Sequence, residues 1–131
     1  MNLLHGDCLE VLPALPDGSF DLVVTSPPYN LGIAYKSFKD TAPREEFLDW
    51  CRKWAAELKR VMADDASFFL NVGAAPANPL MPHQLVLALT DGVEPLFVLQ
   101  NTFHWIKSIT VETRAGDAIS AGHFKPINSQ R

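Results

Sequence analysis

Three features of the sequence predict an α/β fold built on parallel strands. Phe20-Asp21-Leu22-Val23-Val24 is β-branched and nearly continuously apolar, the composition of a strand buried on both faces of a parallel sheet. Between Pro43 and Met62 the apolar side chains fall at Phe47, Cys51, Trp54, Leu58 and Val61, a stripe of helical period. Ser67 to Val72, with Phe68-Phe69-Leu70 at its centre, reads as a further buried strand. Strands alternating with helices at this spacing indicate an α/β sheet, in which ligands collect beyond the carboxyl ends of the strands.

The elements follow in order. Asn2 to His5 is a short apolar run ending at Gly6-Asp7, and Leu9 and Leu12 share a face in the segment after it, so a strand, a tight turn and one or two turns of helix are expected. Pro13 and Pro16 stop that helix, and Asp17-Gly18 is a turn signal. The strand from Phe20 breaks at Thr25-Ser26-Pro27-Pro28-Tyr29-Asn30, because two successive prolines cannot continue a central strand. The hexapeptide therefore lies just beyond a strand's carboxyl end. In the long helix Pro43 suits the first turn, Glu45 and Glu46 complement the N-terminus, Lys59 and Arg60 the C-terminus, and Asp64-Asp65 marks the exit. Trp50 and Trp54 are assigned to packing of this helix. Pro76, Pro79 and Pro82 punctuate a loop, Leu85 to Leu89 forms a short helix, and Leu96 to Lys107 a longer strand or strand pair. Beyond Ser108 the chain turns polar, and there is no internal repeat.

With 131 residues one domain is expected. There is no run of about 18 apolar residues and no basic, apolar leader at Met1, so a cytoplasmic protein is expected. Cys8 and Cys51 form no CxxC, and His5, His83, His104 and His123 fall into no ligand spacing, so no metal site is expected. The net charge of −4 argues against a surface coated with basic nucleic-acid contacts, but it hides an asymmetry: residues 101–131 carry four bases and two acids. Any phosphate-facing surface belongs at that end.

His5-Gly6-Asp7-Cys8-Leu9-Glu10-Val11-Leu12, followed by Phe20-Asp21-Leu22-Val23-Val24-Thr25-Ser26-Pro27-Pro28-Tyr29-Asn30, resembles the amino-methyltransferases that methylate an exocyclic nitrogen of a DNA base with S-adenosylmethionine. Ser26-Pro27-Pro28-Tyr29 is similar to the family's catalytic (Asp/Asn/Ser)-Pro-Pro-(Tyr/Phe) motif in its Ser form. Weaker likeness continues through Phe68 to Gly73, His104 to Lys107 and His123 to Arg131. The resemblance implies part of a Rossmann-like S-adenosylmethionine-dependent methyltransferase sheet with flanking helices, acting on double-stranded DNA.

The chemistry implied by the resemblance accounts for the residue types. An amine conjugated to a base ring is a poor nucleophile because its lone pair is delocalised. If Ser26 Oγ and the Pro27 carbonyl accept hydrogen bonds from it, they favour a pyramidal nitrogen whose lone pair faces the methyl sulfonium, which is stabilisation aimed at the transition state. Pro27 and Pro28 supply rigidity. Tyr29 would stack on a base flipped from the duplex, worth about 1–3 kcal/mol against an extrusion cost of a few kcal/mol. Transfer is a direct displacement with no covalent enzyme intermediate. Asp7 and its neighbour Cys8 stand where the family keeps cofactor contacts, with a hydrogen bond from Asp7 to adenine; helix N-capping accounts for Asp7 equally well. Lys107, Lys125, Asn128 and Arg131 are the DNA contacts expected in the basic end, whereas Trp105 also reads as a core residue.

None of the seven glycines forms a G-x-G pair, so the glycine-rich cofactor loop of this fold is missing. In one circularly permuted order of the family the catalytic half comes first, the target-recognition region second and the glycine-rich half last. Residues 1–108 then correspond to the catalytic half and 109–131 to the start of the recognition region, and the chain looks like the N-terminal portion of a larger enzyme whose C-terminal half would complete cofactor binding. In the family that the chain resembles, Ser at the first motif position preceded by Thr, here Ser26 after Thr25, favours cytosine N4 as the acceptor; the alternatives are adenine N6 methylation and a truncated, non-catalytic DNA-binding fragment. Protein and RNA methyltransferases that share Pro-Pro-Tyr usually place Asn or Asp first and follow the glycine loop.

Overall fold

The computed structural model of the chain describes residues 2–36, 38–74 and 78–105. Two units are distinguished, Met1–Leu99 and Gln100–Arg131; of the second, residues 100–105 are described and carry no helix or strand. The first unit runs α1 (Cys8–Val11), a 3-10 turn (Leu12–Ala14), β1 (Phe20–Thr25), α2 (Arg44–Val61), β2 (Met62–Leu70) and α3 (Met81–Thr90). It is α/β, with β1 and β2 paired in parallel across the α2 crossover.

Helix α2 forms where the apolar stripe requires it. Phe47, Cys51, Trp54 and Val61 are buried, Glu45 and Glu46 lie in the first turn, and Lys59 and Arg60 in the last. Phe47, Cys51 and Trp54 join Leu48, Ala55 and, from α3, Met81, Leu85 and Leu89 in one core. Each large apolar side chain removed from water contributes about 1.5–3 kcal/mol. A run of aromatic contacts extends the core: Phe38 to Trp50 at 4.9 Å between ring centroids, Trp50 to Trp54 at 6.2 Å, Trp54 to Phe68 at 6.4 Å and Phe68 to Phe97 at 4.9 Å. Trp50 and Trp54 are packing residues of α2.

Arg60 ties the C-terminus of α2 to the segment before β1. Its guanidinium donates to the Leu15 carbonyl at 3.0 Å, the Leu12 carbonyl at 2.8 Å, Glu57 and Asp17. Those two carboxylates, Asp17 first, hold its pKa above the ordinary arginine value. Gly18, at φ 60°, makes the turn expected at Asp17-Gly18, and its amide donates to the Arg60 carbonyl.

Several elements differ from the sequence expectation. Residues 2–5 form no strand: no neighbour among the described residues offers a ladder, and Leu3 is 87% exposed. Strand β1 is covered on one face only. Val23 and Thr25 are half-buried, as are Phe68 and Leu70, which pack against the core, whereas Leu22, Val24 and Phe69 are exposed. The α2–α3 core covers a single side, so the apolar composition of β1 exceeds what this sheet buries. Strand β2 begins at Met62, directly after α2, and takes in Asp64 and Asp65; the register shifts between Phe20 and Leu22, and both acids remain exposed. Pro82 sits in the first turn of α3 and not in the preceding loop, because a first-turn proline lacks only an amide that has no helical acceptor. No strand forms within residues 96–105. The Phe97 amide donates to the Leu89 carbonyl at the end of α3, and its ring lies on Phe68, which turns Leu96 and Phe97 into a plug against the core. Among the described residues no helix is long and apolar enough to cross a membrane.

Candidate functional site

The site follows from strand pairing. Val24 pairs with Phe69 and Thr25 with Leu70, and the Asn71 amide extends the ladder by donating to the Thr25 carbonyl at 2.9 Å. The next residue on each chain, Ser26 after β1 and Asn71 after β2, therefore emerges side by side at the carboxyl edge of the sheet. In Pro27-Pro28 two fixed φ angles stiffen the exit from β1, and no cis peptide occurs in the described chain. Three residues beyond Ser26 the loop returns the Tyr29 side chain to it.

Three polar groups converge there. Ser26 Oγ and the Tyr29 hydroxyl are 2.5 Å apart, and Asn71 Nδ2 donates to the Tyr29 hydroxyl at 3.0 Å and to Ser26 Oγ at 3.3 Å. The Tyr29 ring rests on Gly73: a Cβ at that position would lie 3.0 Å from Cε2 and 3.1 Å from Cδ2. Glycine thus leaves the space the ring occupies. Ser26 and Asn71 are exposed, while Pro27, Pro28 and Tyr29 are half-buried, so the cluster faces solvent on a rigid base. No described residue donates to the Pro27 carbonyl. Two hydroxyls and an amide in this arrangement form a hydrogen-bonding cradle suited to a small polar group.

Asp7 caps α1, its Oδ1 accepting from the Leu9 amide at 2.8 Å. A Cβ on Gly6 would meet Val11 Cγ2 at 2.7 Å, so the turn into α1 closes tightly over a residue without a side chain. Cys8 is exposed, and partial desolvation, then the neighbouring Asp7 carboxylate, raise its thiol pKa. No hydrogen bond joins Asp7 or Cys8 to Ser26, Tyr29 or Asn71. Lys107, Lys125, Asn128 and Arg131, expected at DNA, lie outside the described residues. Among the described residues there is no group of three metal-ligating side chains. Two shallow depressions around Lys59, Met62, Ala63 and Asp64 open where β2 begins, at the opposite end of that strand from Asn71.

Sequence reasoning singled out Ser26 to Tyr29 and missed Asn71 and Gly73 as parts of the cradle. The available signal was positional. Both follow the second buried apolar run, and in a parallel pair the residues just past neighbouring strands share one edge.

Comparison with known proteins identifies the family of the chain. The N6/N4 methyltransferase family model described as DNA methylase matches residues 20–129. The chain is similar to the Type II methyltransferase M.ScaI of Streptomyces caespitosus, 43% identical over 98% of this chain and 38% of that protein. It is similar to the Type II methyltransferase M.MjaVI of Methanocaldococcus jannaschii, 35% identical over 92% of this chain and 62% of that protein. It also resembles the DNA adenine methyltransferase YhdJ of Escherichia coli K12, 32% identical over 53% of this chain and 24% of that protein. The chain thus spans less than two thirds of the length of each of these relatives. With the Ser-Pro-Pro-Tyr loop at the carboxyl edge of a parallel α/β sheet and a family match over most of its length, the chain belongs to the DNA methylase family.

Proposed function

We propose that this chain carries the amine-binding half of an S-adenosylmethionine-dependent DNA methyltransferase of the restriction–modification type, acting on an exocyclic amine, cytosine N4 in preference to adenine N6. The observation that carries the reading is the cradle of Ser26, Tyr29 and Asn71, with Pro27 directly after Ser26 in the chain. A hydroxyl has one proton and two lone pairs. With the Ser26 proton donated to the Tyr29 oxygen and Asn71 Nδ2 donating to both, Ser26 Oγ retains one lone pair. That lone pair and the Pro27 carbonyl accept the two N–H groups of the base amine, which turns the nitrogen lone pair outward and opposes its delocalisation. Tyr29, held against Gly73, offers its remaining ring surface to the flipped base.

The cofactor supplies an electrophilic methyl group. Asp7 fits an adenine contact: one carboxylate oxygen serves the Leu9 amide, and the exposed side chain keeps acceptor capacity for an exocyclic amine, with Cys8 beside it. In this reading a Rossmann-like sheet is completed by a further segment bearing a glycine-rich loop. The exposed apolar face of Leu22, Val24 and Phe69 supports that, since parallel sheets are normally covered on both sides. Residues 1–108 are the catalytic half, and 109–131, with Lys125, Asn128 and Arg131 beyond Lys107, open the DNA-recognition region. The preference for cytosine rests on Thr25-Ser26 at the head of the motif.

The test is transfer of labelled methyl from S-adenosylmethionine to duplex DNA by the chain alone and with a complementing C-terminal half, followed by nucleoside analysis. N4-methylcytosine is the expected product. N6-methyladenine alone would overturn the cytosine assignment, and no transfer under either condition would overturn the enzyme reading in favour of a non-catalytic DNA-binding fragment.

A further inference from the structure

Asp40 is buried to 2% exposure, yet it makes no ion pair among the described residues. Its charge is met by main chain. The Asn30 amide donates to Oδ1 at 2.8 Å, the Leu31 and Ile33 amides donate to Oδ2 at 3.0 Å each, and the Gly32 amide donates to the Asp40 carbonyl at 2.8 Å. Four consecutive amides thus end on one residue. Such a run of N–H groups is an anion nest, occupied here by a side chain of the same protein. Asn30 at φ 57° and Gly32 at φ 80° take the left-handed backbone the nest requires, and Asn30 Nδ2 further ties the loop to the Ala42 carbonyl at 2.9 Å, just before α2.

The first of these amides belongs to the peptide that joins Tyr29 to Asn30. We infer that Asp40 is the positioning residue of the Ser-Pro-Pro-Tyr loop: its carboxylate fixes the chain reversal after Tyr29 and so sets the Tyr29 hydroxyl against Ser26 and Asn71. The inference rests on the reading of that loop as the amine-binding site. An isolated buried carboxylate is costly unless hydrogen bonds satisfy it, so three charge-assisted bonds hold the loop more firmly than neutral ones would. Asparagine in its place keeps one acceptor and turns an NH₂ toward backbone donors. Glutamate keeps the charge but is one methylene too long to seat both oxygens.

The experiment compares the chain with Asp40→Asn and Asp40→Glu by NMR, with uniform amide-nitrogen labelling for the backbone and selectively labelled tyrosine and tryptophan rings; only Tyr29 and Tyr35 contribute tyrosine ring signals, and Trp54 reports the core. In a folded variant the Tyr29 ring and the Asn30, Leu31 and Ile33 amides are expected to shift while the Trp54 indole stays. A Tyr29 signal at its wild-type position, a Trp54 shift as large as that of Tyr29, or loss of the folded state in both variants would overturn the inference. Methyl transfer is measured in parallel. Where the wild type transfers methyl groups, D40N is expected to lower kcat on the order of tenfold with KM for the donor nearly unchanged, because a misplaced acceptor acts on the transition state. An unchanged kcat would overturn it. A wild-type chain without transfer defeats the functional reading alone, and the Tyr29 signal still decides the positioning.

Discussion

The Tyr29 hydroxyl lies 2.5 Å from Ser26 Oγ, three residues away in the chain. This contact means that neither hydroxyl acts alone: the proton between them sets how many lone pairs Ser26 can offer, and Asn71 Nδ2 holds both oxygens from the neighbouring strand.

Removing the acceptor should separate chemistry from binding. Ser26→Ala is expected to lower methyl-transfer turnover by about 10²-fold, as loss of one group stabilising the transition state does, while DNA affinity in a gel-shift titration changes little. Tyr29→Phe keeps ring surface but releases the Ser26 proton from its acceptor; it should lower turnover by a smaller factor with base stacking retained.

Gly73→Ala tests the support beneath the ring. The added methyl would lie 3.0 Å from Tyr29 Cε2, so the ring or the Asn71–Gly73 segment must move. The expected cost is about 1–3 kcal/mol of overpacking at most, read from denaturant midpoints, together with a displaced Tyr29 ring signal and reduced turnover.

The core makes a stability prediction independent of function. Phe47 is 2% exposed within the α2–α3 cluster. Phe47→Ala is expected to destabilise the chain by about 3–5 kcal/mol in chemical denaturation, a large fraction of the stability of a typical domain.

Cys51 gives a pH signature. Burial pushes its thiol up to about 12 from the ordinary 9.0. The folded state therefore keeps a proton that the unfolded state releases: the contribution is fully present below about pH 9 and is lost as pH rises toward 12. The slope is about 1.4 kcal/mol per pH unit at most, so wild-type stability should fall more steeply across this window than that of Cys51→Ala. Alkylation at pH 8 should modify Cys8 in the native chain and Cys51 only after denaturation.

Helix α2, the turn at Gly18, strand β1 and the rigid Ser26-to-Tyr29 exit were legible in the sequence, because each depends on periodicity, proline or glycine acting within a few residues. Such patterns report which residues share a face and where a strand must stop. They do not report what covers that face. Hence the run from Phe20 reads as buried on both sides although Leu22 and Val24 are exposed, and the run at Phe97 reads as a strand although its amide is spent on the end of α3.

What the sequence by itself determined was the loop chemistry: two prolines after an apolar strand, a hydroxyl before them and a tyrosine after. What only the tertiary structure decided was which distant residues complete it. Asn71 reaches Ser26 because Thr25 pairs with Leu70, and Asp40 reaches Asn30 because the intervening chain folds back onto its own amides. Both depend on pairing between segments that neither segment encodes alone, since register and chain reversal are settled when the core of α2 brings the two strands together.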